Sequence, residues 1–384
     1  MGSGFKRIYR KLLSGLPLTM TKKRKVAIIG TNGLPAKYGG FETLANYLTL
    51  NLKNDFDFIV YCSKTPKEKR LERFNEAKLI YFPFKANGWQ SMIYDAISIA
   101  HAYFVSDVLV ILGFSGVFAF PFNVFFKKKI VFNIGGIEWQ KVRGKKTFAA
   151  LEIFFKKWLE RICVHFSDII IVDNQVIYNY VKSTYGINSV FAEYGGDHAR
   201  NIPVQGDLIT KYSFLAKKYD ITISRAQEDM NIHLLIEAYK EIPNRNLVVI
   251  SNWEISEYGI KLKHENKDKY PNIFLMNAIY NLTELNAIRS NSQLYIHTHS
   301  LCGSAPSLIE AMYLGLPVIC FDVDTNRATT EEKSFYFKDI LSLTNILSKL
   351  DNYTMIELGK EMKLIAKRRY TWKRITNLYK ECIS

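Results

Sequence analysis

The sequence predicts an α/β protein of two consecutive domains, each a parallel sheet covered by helices. Short apolar, β-branched runs alternate with helical patterns along nearly the whole chain. The alternation pauses near 198–215, where a YGG turn and IPVQGD supply Gly and Pro, and then restarts. The length, 384 residues, suits two domains of ordinary size.

The first series opens with KVAIIGT (25–31), followed by a loop and a helical stretch from Phe41 to Leu52. DFIVYCS (57–63), LIYFPF (79–84), DVLVILG (107–113), KIVFNIG (129–135) and DIIIVDN (168–174) read as its further strands. The second series opens with DITIS (220–224) and a helix from Asn231 to Ile242. NLVVIS (246–251), NIFLMN (272–277), QLYIHT (293–298) and PVICFD (317–322) continue it. The boundaries follow: a basic leader over 1–23, a first domain over 24–198, a second over 199–369, and a terminal helical segment over 370–384. Two open parallel sheets bind ligands at the carboxyl ends of their strands, so the residues just after each strand are the first candidates for a site.

Composition narrows the class. With 48% hydrophobic and 14% aromatic residues the chain has material for packed cores, which excludes a disordered protein. Lys and Arg total 52 against 36 Asp and Glu, a formal charge of +16. That excess draws the chain towards phosphorylated ligands, an anionic membrane or nucleic acid, but no nucleic-acid motif is present. The five cysteines show no CxxC or metal-ligand spacing, which points to reduced thiols in the cytoplasm and no structural zinc.

Three apolar stretches bear on membranes. Phe5, Ile8, Tyr9, Leu12 and Leu13 recur at helical spacing among basic residues, as in an interfacial helix or a leader, and no secretory h-region is visible. Val108 to Phe126 carries no charge, but Gly113, Gly116 and Pro121 break it. It reads as a buried strand, a turn at 114–116 and a short apolar helix rather than a span. Lys141 to Ile162 reads as a basic amphipathic helix with Phe148, Leu151, Phe155, Trp158, Leu159 and Ile162 on one side, facing either the core or a lipid surface.

The loop after the first strand runs GTNGLPAKYGGFET (30–43). Gly39 and Gly40 stand just before a helix, whose first amides can hold an anion, with Phe41 and Glu42 beside them. The spacing is not that of the dinucleotide fingerprint. The second half carries the denser signal, GSAPSLIEAMYLGLPVI (303–319). Gly303, Ser304, Ala305, Pro306 and Ser307 form a small polar loop that opens a short helix, and its amides can meet a diphosphate. Glu310 inside the helix is acceptor-only at neutral pH and suits ribose hydroxyls.

These blocks resemble the donor-site signature of retaining GT-B glycosyltransferases, in which a Glu opens a run E-A-x-x-x-G-x-P-V. Together with NIGGIEW (133–139), VDN (172–174) and YGGDHA (194–199), they look closest to the bacterial rhamnosyltransferases of capsule and cell-wall polysaccharide synthesis. The resemblance covers nearly all of the chain after about residue 24. It implies a GT-B fold of two Rossmann-like domains facing a central cleft, with the donor in the second. It further implies that Arg225 holds the donor diphosphate and that Asp229, beside it, belongs to the donor loop. Three positions depart from the pattern: Cys302 stands where the family carries a sugar-contacting Glu, Met230 where it carries a Lys, and Gly135 where an acidic residue is expected.

The remaining candidates are open. Glu138 could orient or deprotonate an acceptor hydroxyl, or brace a loop. Trp139 could stack on a sugar or sit in the core. Asp197 and His198, after the interdomain turn, could line the cleft or stabilise the hinge, and His299 could bond a phosphate or a hydroxyl. The expectation is therefore a hexosyltransferase with catalytic Glu138, Arg225 and His198, working peripherally on the inner membrane face. Its partners would be a nucleotide diphosphate sugar, foremost dTDP-rhamnose, and a polyprenyl-diphosphate-linked acceptor. No cofactor or metal is required, because Arg and helix amides can replace Mg²⁺; the triplet Asp322-Val323-Asp324 is too common to argue otherwise. Another UDP- or GDP-hexose donor, or a non-catalytic glycan- or membrane-binding role, are the alternatives.

Overall fold

A computed structural model describes residues 23–36, 39–137, 139 and 149–384. The leader expected over 1–23 lies almost wholly outside the described residues, as does Glu138.

The first domain is built on an eight-stranded sheet. In chain order its elements are β1 (Arg24–Ile29), α1 (Gly40–Leu52), β2 (Phe56–Cys62), β3 (Arg73–Phe74), β4 (Ala77–Tyr81), α2 (Gln90–Val105), β5 (Val108–Leu112), α3 (Asn123–Phe126), β6 (Lys129–Ile134), α4 (Ala149–His165), β7 (Ile169–Val172), α5 (Gln175–Tyr185) and β8 (Val190–Phe191). The strands lie in the order β3-β4-β2-β1-β5-β6-β7-β8, and all pairs are parallel except β3–β4. Strand β5, Val-Leu-Val-Ile-Leu, is buried along its whole length, which explains its unbroken apolar run. The uncharged stretch beyond it is not one helix: a 3-10 turn (Val117–Phe122) and the four-residue α3 return the chain to β6. No helix among the described residues is long and apolar enough to cross a membrane.

The second domain follows as α6 (Gly206–Lys211), β9 (Tyr219–Arg225), α7 (Ile232–Lys240), β10 (Asn246–Asn252), α8 (Glu257–Asn266), β11 (Ile273–Asn277), α9 (Leu282–Ser290), β12 (Leu294–His297), α10 (Pro306–Leu314), β13 (Val318–Phe321), α11 (Asp324–Thr329), β14 (Phe335–Phe337), α12 (Ile340–Lys349) and α13 (Asn352–Arg369). Its six strands, all parallel, lie in the order β11-β10-β9-β12-β13-β14. The chain reverses direction of travel across the sheet at β9/β12, as it does at β1/β5 in the first domain, and ligand crevices form at such switch points.

One element ties the halves together. Helix α14 (Trp372–Ile383) follows α13 of the second domain but packs against α1 and β6 of the first. Its strong amphipathicity places Ile375, Tyr379, Cys382 and Ile383 in the first domain's core. Asn133 of β6 donates to the Tyr379 hydroxyl, and Lys380 Nζ meets Asp55 at 2.5 Å.

Helix α4 corrects the one-sided reading of the basic segment. Leu159, Ile162 and Cys163 face the core, whereas Leu151, Phe154, Phe155 and Trp158 face outward. The expected part before Ala149, Phe148 included, lies outside the described residues.

Candidate active site

The carboxyl ends of the second sheet gather the donor-side residues. Strand β9 ends in Arg225, which is exposed and makes no ion pair among the described residues. The chain then makes a tight turn, with Asn231 left-handed at φ 50°. Asn231 Nδ2 donates to the Thr298 carbonyl at 3.0 Å, and the Ser300 amide and hydroxyl both donate to the Asp229 carbonyl at 2.9 Å. Asp229 thus works here through its backbone, stitching the loop after β9 to the loop after β12. Met230 is buried among Ile232, Leu235 and Trp253 of the domain core. A Lys at 230 would have to leave that packing to reach the cleft, so Arg225 stands as the cation of this loop.

His297 and His299 close β12. Their rings lie 4.0 Å apart, and His297 has neither ring nitrogen bonded. Burial, reinforced by the Arg225 charge, pushes His299 down to about 3, so it is neutral at physiological pH. A neutral imidazole beside a guanidinium is a donor-and-acceptor surface suited to a phosphate or a hydroxyl. His297, His299 and Cys302 bring ligand atoms within 4.8 Å of one another, the one such group among the described residues. No carboxylate joins them and Arg225 stands alongside, which favours an anion there over a metal ion.

The polar loop Gly303–Ala305 is buried at the domain interface. The Ser304 amide donates to Asp173 Oδ2 at 3.1 Å, and the Ser304 hydroxyl donates to the Asp173 carbonyl. Pro306 starts α10, where a missing N–H is no loss, and Gly315 ends it in the left-handed region. Ser307 is half-buried in the first turn.

Glu310 is buried and doubly held. Its Oε2 lies 2.5 Å from Arg289 Nη1, and its Oε1 accepts from His198 Nε2 at 3.0 Å. Burial alone would raise its pKa, but the Arg289 charge and the His198 bond outweigh that and hold it near 2. His198 Nδ1 in turn accepts from the Trp372 indole N–H at 3.0 Å, so Nε2 carries the ring proton. Asp197 accepts from the Trp372 amide at 2.8 Å and caps α14. His198 thus links the terminal helix to Glu310, and Asp197 holds the first amide of that helix. Both ring nitrogens of His198, expected to be catalytic, are thus engaged by Glu310 and Trp372.

On the acceptor side, Gly39 sits at φ 123°, and a β-carbon there would lie 1.9 Å from Glu42 Oε2. Only glycine fits. Glu42 is not free for a ligand: its Oε1 accepts from both the Asn32 amide and the Asn32 side chain at 2.8 Å, fixing the loop after β1. Gly40 abuts Pro306 of α10, so this loop touches the donor helix. Phe41 lies over the strand ends between Gly113 and Gly135, and a β-carbon on Gly135 would stand 2.5 Å from its ring. That contact explains the missing acidic residue at 135. Trp139 donates its indole N–H to the Tyr180 hydroxyl at 2.9 Å and carries Lys157 Nζ 4.2 Å from its ring centroid. It is docked on α5 with one face occupied, which disfavours the sugar-stacking role. The expected role of Glu138 lies outside the described residues.

An open cleft of about 350 Å³ runs between the domains, lined by Gly136, Ile137 and the start of α5 on one side and by Ser300–Cys302 and Asp322–Thr325 on the other. Cys302 faces it from the position where a sugar-contacting Glu was expected. Asp322 is held by Arg327 at 2.5 Å and Lys338 at 3.5 Å.

Three residues escaped the sequence reading. Arg289, from an ordinary-looking helix, is among the most buried side chains, and a charged residue on the apolar stripe Ile288–Arg289 was its only signal. Trp372 stacks on Tyr47 at 4.3 Å and covers Gly195. Asp95 of α2 is buried beside Ser115 and Gly30, and burial pushes its pKa up to about 7.

Comparison with known proteins places this geometry. Residues 211–339 match the family Glycosyl transferases group 1, and residues 23–197 match a domain of unknown function, DUF1972. None of the curated proteins matches the chain in sequence. Sucrose-phosphate synthase from Thermosynechococcus elongatus superposes with a TM-score of 0.78 at 16% identity, over 94% of this chain and 99% of that one. Anabaena HepE, in complex with UDP and glucose, gives 0.70 at 13% identity over 94% and 98%. A glycosyltransferase from Rickettsia africae gives 0.69 at 14% identity over 94% and 99%. The chain has the GT-B architecture, two Rossmann-like domains facing a cleft. With the family match, this supports a glycosyltransferase of the GT-B type.

Proposed function

We propose that the protein transfers L-rhamnose from dTDP-rhamnose, with retention, to a polyprenyl-diphosphate-linked saccharide in capsule or cell-wall polysaccharide synthesis, working on the inner face of the cytoplasmic membrane. The observation that carries the donor half is Arg225, an exposed guanidinium at the end of β9 beside a neutral His299 and without a carboxylate partner among the described residues. The rhamnosyl choice rests on the motif resemblance.

In transfer, the bond from the anomeric carbon to the diphosphate breaks and the diphosphate leaves with the electron pair. In this reading Arg225, with the Ser307 amide at the start of α10, balances that negative charge. The acceptor oxygen bonds the anomeric carbon, and its proton passes to a base, a role for which Glu138 is our candidate. Glu310, held ionised by Arg289 and His198, retains lone pairs for a ribose hydroxyl. No metal or organic cofactor enters this scheme.

HepE's complexes with UDP and UDP-glucose favour a second reading, a UDP-hexose donor. A panel of nucleotide sugars with a lipid-diphosphate glucoside acceptor separates the two. Product from dTDP-rhamnose alone supports the first reading. Product from a UDP-sugar keeps the transferase and discards rhamnose. Absence of both turnover and donor binding in folded protein removes the donor site as drawn.

A further inference from the structure

The first domain carries an apolar face that none of the described residues covers. Helices α2, α3 and α4 and the 3-10 turn 117–122 lie on the side of the sheet away from α1 and α14, and they pack on one another. Their outward side chains are large and bare: Phe104 is 76% exposed, Phe122 57%, Phe125 80% and Phe154 69%. Trp89 and Trp158 join them. The patch is continuous at its base, where the Phe104 and Phe126 rings meet edge-on at 4.9 Å. Scattered apolar residues need no explanation, but a contiguous aromatic face marks an interaction surface.

Its charge indicates the partner. Lys127, Lys157 and Arg161 are exposed on these elements and make no ion pair among the described residues. The acids of the same elements are turned inward or engaged. Asp95 and Glu160 are buried, Glu152 is paired with Lys156 at 2.6 Å, and Asp107 accepts from the Lys25 amide at 2.9 Å. Aromatic rings rimmed by exposed cations fit a bilayer rich in anionic lipid: rings enter the interface while Lys and Arg meet headgroups. A second copy of the chain fits poorly, because pairing two such faces would bring like charges together in a protein of formal charge +16.

We propose that this face docks the protein on an anionic lipid bilayer. The inference deepens the reading above, since it names the surface from which a lipid-held acceptor would enter. Trp89 precedes α2 just past the carboxyl end of β4, the same end of the sheet that carries the cleft residues Gly136 and Ile137 beyond β6. A membrane lying there holds an acceptor diphosphate beside the cleft while its polyprenyl tail stays in the bilayer.

The test is flotation of the full chain with phosphatidylcholine vesicles, with and without phosphatidylglycerol, in low and high salt. We expect binding at least about tenfold stronger to the anionic vesicles, weakened by salt. Combined Phe122→Ser, Phe125→Ser and Phe154→Ser should lower it about tenfold or more with an unchanged melting temperature, because these rings are solvent-exposed in the fold. Combined Lys127→Glu and Lys157→Glu should abolish the preference for phosphatidylglycerol. The proposal is overturned if the unaltered chain ignores both vesicles, or binds undiminished after the aromatic substitutions. It is also overturned if those substitutions instead convert a dimer into a monomer, which would assign the face to a second copy. The readout involves no sugar, so a failure here is distinct from a failure of the transfer reading.

Discussion

The indole of Trp372 and the carboxylate of Glu310 are joined through a single imidazole: Trp372 donates to His198 Nδ1, and His198 Nε2 donates to Glu310, each at 3.0 Å. The indole bond fixes the tautomer, and the tautomer makes His198 a donor to Glu310. Replacing Trp372 by Phe keeps the stack on Tyr47 but frees Nδ1 to take the proton. We expect a rise in donor KM with kcat largely kept, and a stability loss of about 1 kcal/mol for the missing hydrogen bond. Donor-dependent kinetics and a denaturant melt read the two effects separately. An unchanged KM would make the linkage purely structural.

Arg225 answers the charge question most directly. Arg225→Ala should lower transfer by about 10²–10³-fold, the size of effect seen when one preorganised transition-state donor is removed. Stability should stay within about 0.5 kcal/mol, because the side chain is exposed and makes no ion pair among the described residues. Arg225→Lys restores charge without the planar fork and should recover only part of the rate.

Glu310 and Asp95 predict opposite dependences on pH. The folded-state pKa of Glu310, near 2, lies below its ordinary value. Its contribution is therefore full above about pH 5 and is lost as pH falls towards 2. Glu310→Gln should be less stable than the unaltered chain at neutral pH, and the gap should narrow on acidification. Thermal melts from pH 7 down to pH 3 would show it.

Asp95 is raised to about 7 by burial, with the Ser115 and Gly30 hydrogen bonds acting the other way. Its protonated form is the one the fold prefers, so its contribution is full below about pH 4 and lost as pH rises to about 7. Asp95→Asn keeps the shape without the ionisation and should flatten that part of the stability curve. Above pH 7 it should gain stability on the order of a few kcal/mol. A carboxyl that titrates near neutrality at the ends of β1 and β5 could also shape the pH–rate profile, which the same variant would reveal.

Gly135 gives a packing test. Gly135→Asp places its β-carbon against the Phe41 ring and should destabilise by about 1–3 kcal/mol. Adding Phe41→Ala should relieve the clash. A clash that is not relieved would show that Phe41 is not the obstacle.

The fold was legible because parallel strands buried on both faces announce themselves as apolar runs; Val108–Leu112 and Ile169–Val172 needed no other signal. The donor loop was legible because its parts are adjacent in sequence. The hinge linkage was not, since His198 reaches partners 112 and 174 positions away, and no local pattern records such a meeting. The outward face of α4 was misread for a different reason. Its exposed side is as apolar as its buried one, so hydrophobic spacing could not tell which faced the core.

The terminal helix bears on how the molecule can be divided. The two family matches end at residues 197 and 339, which invites treating each half as a free-standing module. Yet Trp372–Ile383 fills the groove between α1 and β6, and Arg24 Nη1 donates to the Ser384 carbonyl at 2.6 Å. A fragment cut after the first match would present an empty hydrophobic bed to solvent, and the complementary fragment would trail an unpaired amphipathic tail. Split halves should therefore recover a native melt only when mixed, or when residues 370–384 are grafted onto the first. The cut that preserves each core is not the one that separates the domains.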